Sequence, residues 1–161
     1  MKPPSSRHLL LSTPGGGLEE VRLHQILGYQ LAQAAIVTYA VFEEFVGKPL
    51  EIRPVEYTIL MLVKENPGGS PAQLSKALAV TRPNVSMLID KLEARLLVKR
   101  EQNQSDRRGQ HLHVTDKGAL LAAKATRRLL IGERQRFSTL SPVEQMMLTE
   151  LLHRLASVRS A

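Results

Sequence analysis

The hydrophobic period of this chain changes twice, and that alternation constrains its fold more than any other feature. From residue 54 to 94 apolar residues recur at three- and four-residue spacing; over 97–115 they alternate, and from 116 helical spacing returns. Pro54 suits a first helical turn, and Val55, Ile59, Leu62 and Val63 make one apolar face that ends at Asn66-Pro67-Gly68-Gly69. Ser70-Pro71-Ala72-Gln73 then opens a short helix with a capping box, turning Leu74, Ala77 and Leu78 inward. After a break at Ala79-Val80, Thr81 caps the next helix, which has Pro83 in its first turn. Val85, Leu88, Ile89 and Leu92 line its inner face, leaving Arg82, Asn84, Ser86, Met87, Asp90 and Lys91 outside.

The alternating stretch predicts strands over 97–101 and 110–115, with Leu112 and Val114 on one side and a polar tip carrying Arg107 and Arg108. Residues 116–137 return to helix with Leu120, Ala123, Leu130 and a basic run of Lys124, Arg127 and Arg128. Ser141-Pro142-Val143-Glu144 is a second capping box, opening a final helix with Met147, Leu148, Leu151, Leu152 and Leu155 for burial. At the other end, residues 18–46 predict one helix about 42 Å long, more than a small lobe needs. Residues 1–17 read as a flexible arm, because His8-Leu9-Leu10-Leu11 is too short for the core of a signal peptide. The expected fold class is mostly α with a small β-hairpin.

Composition removes other classes. The 161 residues contain no Cys, so there is no disulfide framework, thiol nucleophile or cysteine metal site. No apolar run is long enough to cross a membrane, and the expected location is cytoplasmic. Absence of Trp and a 4% aromatic content argue against a sheet that stacks bases. No Ser-His-Asp set, phosphate loop or paired-carboxylate site is visible, so an enzyme is not expected and no cofactor is implied. His111 and His113 share one side of a strand without a third ligand at usual spacing, which argues against metal. The 22 Lys+Arg against 15 Asp+Glu leave a formal net charge of +7, which suits a polyanionic partner.

Two short helices joined by a tight turn and followed by a hairpin make a winged helix-turn-helix over 51–115. Its second helix has a polar face narrow enough for the major groove of double-stranded DNA. Asn84 can pair with adenine, Arg82 with guanine, Ser86 with several base edges, and the Met87 methyl can touch thymine. Ser70, Thr81, Pro83, Lys91 and Lys99 complete the expected DNA-facing set on the body of the domain. Arg107 or Arg108 would enter the minor groove from the wing. Arg95 and Arg100 are further expected phosphate contacts.

Over residues 18–158 the sequence resembles the MarR family of winged helix-turn-helix transcription regulators. The resemblance is carried by Ser105-Asp106-Arg107-Arg108-Gly109-Gln110-His111-Leu112-His113-Val114-Thr115-Asp116-Lys117-Gly118 and by Val80 through Glu93. It implies that Arg108 enters the minor groove and that Asp106 stiffens the wing through a salt bridge. Met87 departs from the pattern, standing where many relatives carry a basic residue. The resemblance further implies a homodimer built from 18–50 and 116–161, an inverted-repeat operator, and repression relieved by a small aromatic or phenolic effector. His24, Tyr29, Gln33, Tyr39, Arg53 and Tyr57 on the first two helices are the candidate ligand contacts. Tyr29 and Gln33 share a helix face, and Arg53 suits a carboxylate. A different class also fits the charge: a basic architectural protein that reads no sequence and senses no ligand. Salt-resistant preference for one duplex separates the two.

Overall fold

The computed structural model describes residues 12–102 and 110–160. The chain divides into two compact units, one up to Ala40 and one from Val41 on. In the first, Ser12 and Glu19 form an isolated antiparallel bridge across a turn whose Gly16 and Gly17 have φ of 82° and 61°. The Thr13 N–H donates to Leu18 O at 2.8 Å. Residues 12–17 of the expected arm are therefore a closed turn, and residues 1–11 lie outside the described residues.

A single 3-10 turn (Leu23–Gln25) follows, and helix α1 (Leu27–Phe42) begins only after Ile26, which is extended at φ −90°, ψ 107°. The helix expected from residue 18 is thus shortened at its start. The physical reason is Glu20: it is buried, it accepts the Tyr29 hydroxyl at 2.6 Å, and His24 Nδ1 lies 3.5 Å from its other oxygen. Local side-chain bonds replace helical ones there. At the other end α1 widens into a π-helical turn over Glu43–Gly47 and a last single turn at Lys48–Leu50. Pro49 has no N–H to continue the ladder. Glu51, left-handed at φ 49°, then reverses the chain.

The second unit follows the expected order: α2 (Pro54–Glu65), α3 (Pro71–Leu78), α4 (Arg82–Ala94), β1 (Val98–Gln102), β2 (Gln110–Val114), α5 (Asp116–Arg136) and α6 (Pro142–Ser157). One apolar core joins Ile59, Leu60 and Val63 of α2, Leu74 of α3, Val85, Ile89 and Leu92 of α4, Leu97, Leu112, and Ala122 and Ala125 of α5. Both expected capping boxes form. Gln73 Oε1 accepts from Ser70 N at 2.7 Å, and Glu144 Oε2 accepts from Ser141 N at 2.7 Å. The Ser141 side chain and backbone bonds hold the Glu144 carboxyl below its usual range. Thr81 is different: it precedes α4, but its hydroxyl makes no capping bond, and Pro83 already removes one N–H from that first turn. Thr115 is an unanticipated cap, its hydroxyl accepting from Gly118 N at 3.0 Å.

The sheet is a two-stranded antiparallel ribbon pairing Val98 with Val114, Arg100 with Leu112 and Gln102 with Gln110. On the far side of β2, Leu112 is also bridged to Gly69: Gly68 N–H donates to Leu112 O at 2.9 Å, and Leu112 N–H to Gly69 O at 3.0 Å. The start of α5 lies directly on the chain entering β1, so a Cβ built on Gly118 would stand 2.0 Å from Leu97 O. Further along α5, Arg128 Nε donates to Phe45 O at 2.6 Å and Gly132 lies under the Phe45 ring, fixing the helix to the π-turn. Helix α6 has no buried residue, although Met147, Leu148, Leu151, Leu152 and Leu155 all lie on it.

Candidate nucleic-acid interface

The sequence of α4 divides cleanly by face. Val85, Leu88, Ile89 and Leu92 are buried, anchoring the helix on the core. Thr81, Arg82, Pro83, Asn84, Ser86, Met87 and Lys91 are exposed as one strip, with Met87 48% exposed. The side chains of Arg82, Asn84, Ser86 and Lys91 make no hydrogen bond or ion pair among the described residues. Polar groups held rigid from behind and unspent in front are what base-edge recognition requires.

Helix α3 braces α4 through a tight turn in which Ala79 adopts a left-handed φ of 52°. Ser75 Oγ donates to Val80 O at 2.6 Å across that turn. Ser70 starts α3 and spends its hydroxyl locally, donating to Gln73 Oε1 and accepting from Gln73 N. Ser70 is therefore a helix start rather than a free donor.

The ribbon beside α4 has two unlike faces, as strand alternation demands. Lys99, Glu101, His111 and His113 share one face: Lys99 Nζ lies 2.6 Å from Glu101 Oε1, and His113 Nε2 lies 3.5 Å from Glu101 Oε2. The Lys99 ammonium holds the Glu101 carboxyl below its usual range, with His113 adding to it. Lys99 thus already has an acidic neighbour. His111 Nδ1 donates to Gly68 O at 2.6 Å, tying the wing to the turn before α3. Arg107, Arg108 and Asp106, the expected wing-tip residues, lie outside the described residues.

Two arginines expected at phosphate are placed otherwise. Arg100 lies on the inner face of the ribbon and turns back onto α4, pairing with Asp90 and Glu93, each at 2.5 Å. Arg95 closes the C-terminal end of α4, its guanidinium donating to Glu51 O at 2.7 Å and Leu50 O at 3.3 Å. Lys117 Nζ in turn donates to Arg95 O at 2.9 Å. Both arginines are spent on contacts within the second unit. The signal was available for Arg100, because alternation puts it on the side of Val98 and Leu112.

The candidate ligand contacts fall into separate surroundings. In the first unit, Tyr29 and His24 are bound to Glu20, and that carboxylate raises the Tyr29 pKa above its ordinary value. Gln33 is half-buried and Tyr39 exposed. In the second, the Tyr57 hydroxyl bonds Thr126 Oγ1 at 2.8 Å, and its ring meets Phe42 at 5.8 Å. Thr126 lines a groove of about 420 Å³ together with the apolar Met61, Leu130 and Ile131 and the basic Lys64, Arg127 and Arg134. Arg53 lines a different groove of about 530 Å³, with Lys48, Glu51 and Lys91. Among the described residues no cluster of His, Asp and Glu is placed to hold a metal ion, and no helix is long and apolar enough to cross a membrane.

Comparison with known proteins places this geometry. The sequence model of the MarR family matches residues 50–109. A putative transcriptional regulatory protein for the hcr operon of Thauera aromatica is 28% identical over 129 residues, covering 80% of this chain and 78% of that protein. The transcriptional repressor MprA of Escherichia coli strain K12 is 30% identical over 116 residues, covering 69% of this chain and 66% of that one. Among solved structures, the transcriptional repressor CouR bound to a 23-mer DNA duplex matches with a TM-score of 0.80 at 29% identity, covering 86% of this chain and 98% of that one.

Proposed function

This chain belongs to the MarR family of winged helix-turn-helix, DNA-binding transcription regulators, and on that premise we propose that it is a homodimeric repressor of one operator. One observation carries the reading: Arg82, Asn84, Ser86 and Lys91 on α4 are exposed, backed by the buried Val85, Leu88, Ile89 and Leu92, and their side chains have no partner among the described residues, beside an antiparallel ribbon. Arg82, Asn84, Ser86 and Met87 read base edges in the major groove, Lys91 meets phosphate, and Arg108 contacts the minor groove. A repressor in complex with duplex DNA has this fold over nearly its whole chain, which supports the assignment.

Homodimerisation is supported by α6, whose apolar side chains Met147, Leu148, Leu151, Leu152 and Leu155 are exposed among the described residues. A twofold dimer reads an inverted repeat with half-sites about 10 bp apart centre to centre. A small aromatic or phenolic acid relieves repression in this reading. The groove between α2 and α5 supports it, lined by apolar Met61, Leu130 and Ile131, by the cations Lys64, Arg127 and Arg134, and by Thr126, which bonds the Tyr57 hydroxyl.

Enrichment of bound fragments from sheared genomic DNA at physiological salt tests the proposal. The expected result is a few fragments sharing an inverted repeat. Broad recovery that collapses with modest added salt would leave a basic, sequence-indifferent binder instead, because counterion release dominates nonspecific affinity. On a recovered fragment, Arg108→Ala is expected to weaken binding about tenfold, the scale of one lost charge-assisted contact, with fold and dimer intact. Equal affinity of mutant and wild type removes Arg108 from the interface.

A further inference from the structure

We infer that Arg100 is a positioning residue for DNA recognition, locking the wing to the recognition helix through Asp90 and Glu93. The inference rests on the DNA-binding reading above and adds to it a part of the protein that touches no DNA.

Arg100 is on β1, opposite Leu112, on the face of the ribbon turned to the core. Its guanidinium spans two carboxylates of α4. Nη1 lies 2.5 Å from Glu93 Oε2 and Nη2 lies 2.5 Å from Asp90 Oδ1, with Ser86 O a further acceptor at 3.5 Å. The Arg100 backbone N–H also donates to Glu93 Oε1, at 3.2 Å. One residue of the wing therefore reaches α4 at Ser86, Asp90 and Glu93, three successive levels of the recognition helix. The Arg100 side chain is only 22% exposed, and its Nε is buried with no partner among the described residues. A planar fork fits this double acceptor, and an ammonium does not.

The arrangement has two consequences for recognition. The helix and wing address different grooves, so affinity depends on the angle between them, and a fork anchored along α4 fixes that angle. The pairing also neutralises carboxylates that would otherwise repel phosphate from the C-terminal half of α4, where the helix dipole already disfavours acidic groups.

Removing charge separates this role from direct phosphate contact by sign. Asp90 is 63% exposed, so Asp90→Asn leaves the core untouched. If Arg100 met phosphate, freeing it from Asp90 and deleting a negative charge would tighten binding. If it positions the wing, Asp90→Asn weakens binding of a recovered genomic fragment, by about threefold to tenfold, while a scrambled duplex of equal length is bound as before. Arg100→Met is expected to lose about tenfold or more on the fragment, Arg100→Lys to recover part, and Asp90→Asn added to Arg100→Met to cost nothing further. Titrations are run by fluorescence anisotropy on the full chain, at a temperature where melting curves show every variant folded. A purely structural pair lowers the melting temperature without changing preference between the duplexes, and that outcome overturns the inference. So does Asp90→Asn binding the fragment as tightly as wild type. If wild type itself prefers no duplex, the DNA-binding reading fails first, independently of Arg100.

Discussion

Gly118→Ala is expected to destabilise the protein by about 3 kcal/mol, lowering the melting temperature by about 6–12 °C for a chain of this size. Its position in the first turn of α5 leaves no room for a side chain. A Cβ there would stand 2.0 Å from Leu97 O and 2.8 Å from Val114 Cγ2. The first of these is backbone, so no rotamer change relieves the clash. Nor can the helix start slide away: Thr115 N–H donates to Leu97 O at 3.1 Å and Thr115 Oγ1 to Leu96 O at 2.7 Å, fastening it to the chain entering β1. Relief requires the α5 start, β1 or both to move, and β1 carries the wing. The variant is thus expected to lose DNA affinity even where it remains folded. Thermal denaturation by circular dichroism decides: a melting temperature within about 2 °C of wild type means that the packing of α5 on Leu97 tolerates displacement.

The second large effect is expected on α6. Leu148→Glu with Leu151→Glu places two carboxylates on a helix that has no buried residue within the chain. Leu148 and Leu151 are 44% and 54% exposed, so the core of the second unit should not register the change. In a dimer the same positions would be covered, and an unpaired charge in an apolar interface is strongly unfavourable. The expected outcome is a monomer by light scattering, with helical content retained. Operator binding should fall by about a hundredfold or more, because the second half-site contact is no longer intramolecular. A double mutant that keeps the dimer mass excludes this face from the interface.

The helix-turn-helix and its wing are legible in the sequence because local signals and burial agree there. Ser70 with Gln73 and Ser141 with Glu144 announce helix starts, and both boxes form. The apolar set Val85, Leu88, Ile89 and Leu92 points one way and is buried as expected. The N-terminal helix is less legible: helical spacing over 18–26 reflects apolar residues that remain exposed, such as Leu18, Val21 and Ile26. Nothing in that spacing reports the Tyr29–Glu20 bond that holds the segment out of the helix. The basic residues near α4 show the limit most plainly. Arg82 and Arg100 carry the same charge, yet among the described residues one has no side-chain partner and the other is spent between Asp90 and Glu93. Charge alone does not separate them, whereas strand parity, applied at Arg100, does.

The Arg100–Leu112 pair also bears on how such a protein survives at high concentration. A two-stranded ribbon has two open edges, and each is a template on which a second chain can add a strand and begin aggregation. Here the outward N–H at the middle of β1 and both outward backbone groups at the middle of β2 are already occupied. The Arg100 N–H on β1 is taken by Glu93, and the Leu112 N–H and C=O on β2 are taken by Gly69 and Gly68. Lys99 and Glu101 flank the first edge with charge. The contacts that fix the wing on its domain thereby also deny an incoming strand its first rungs.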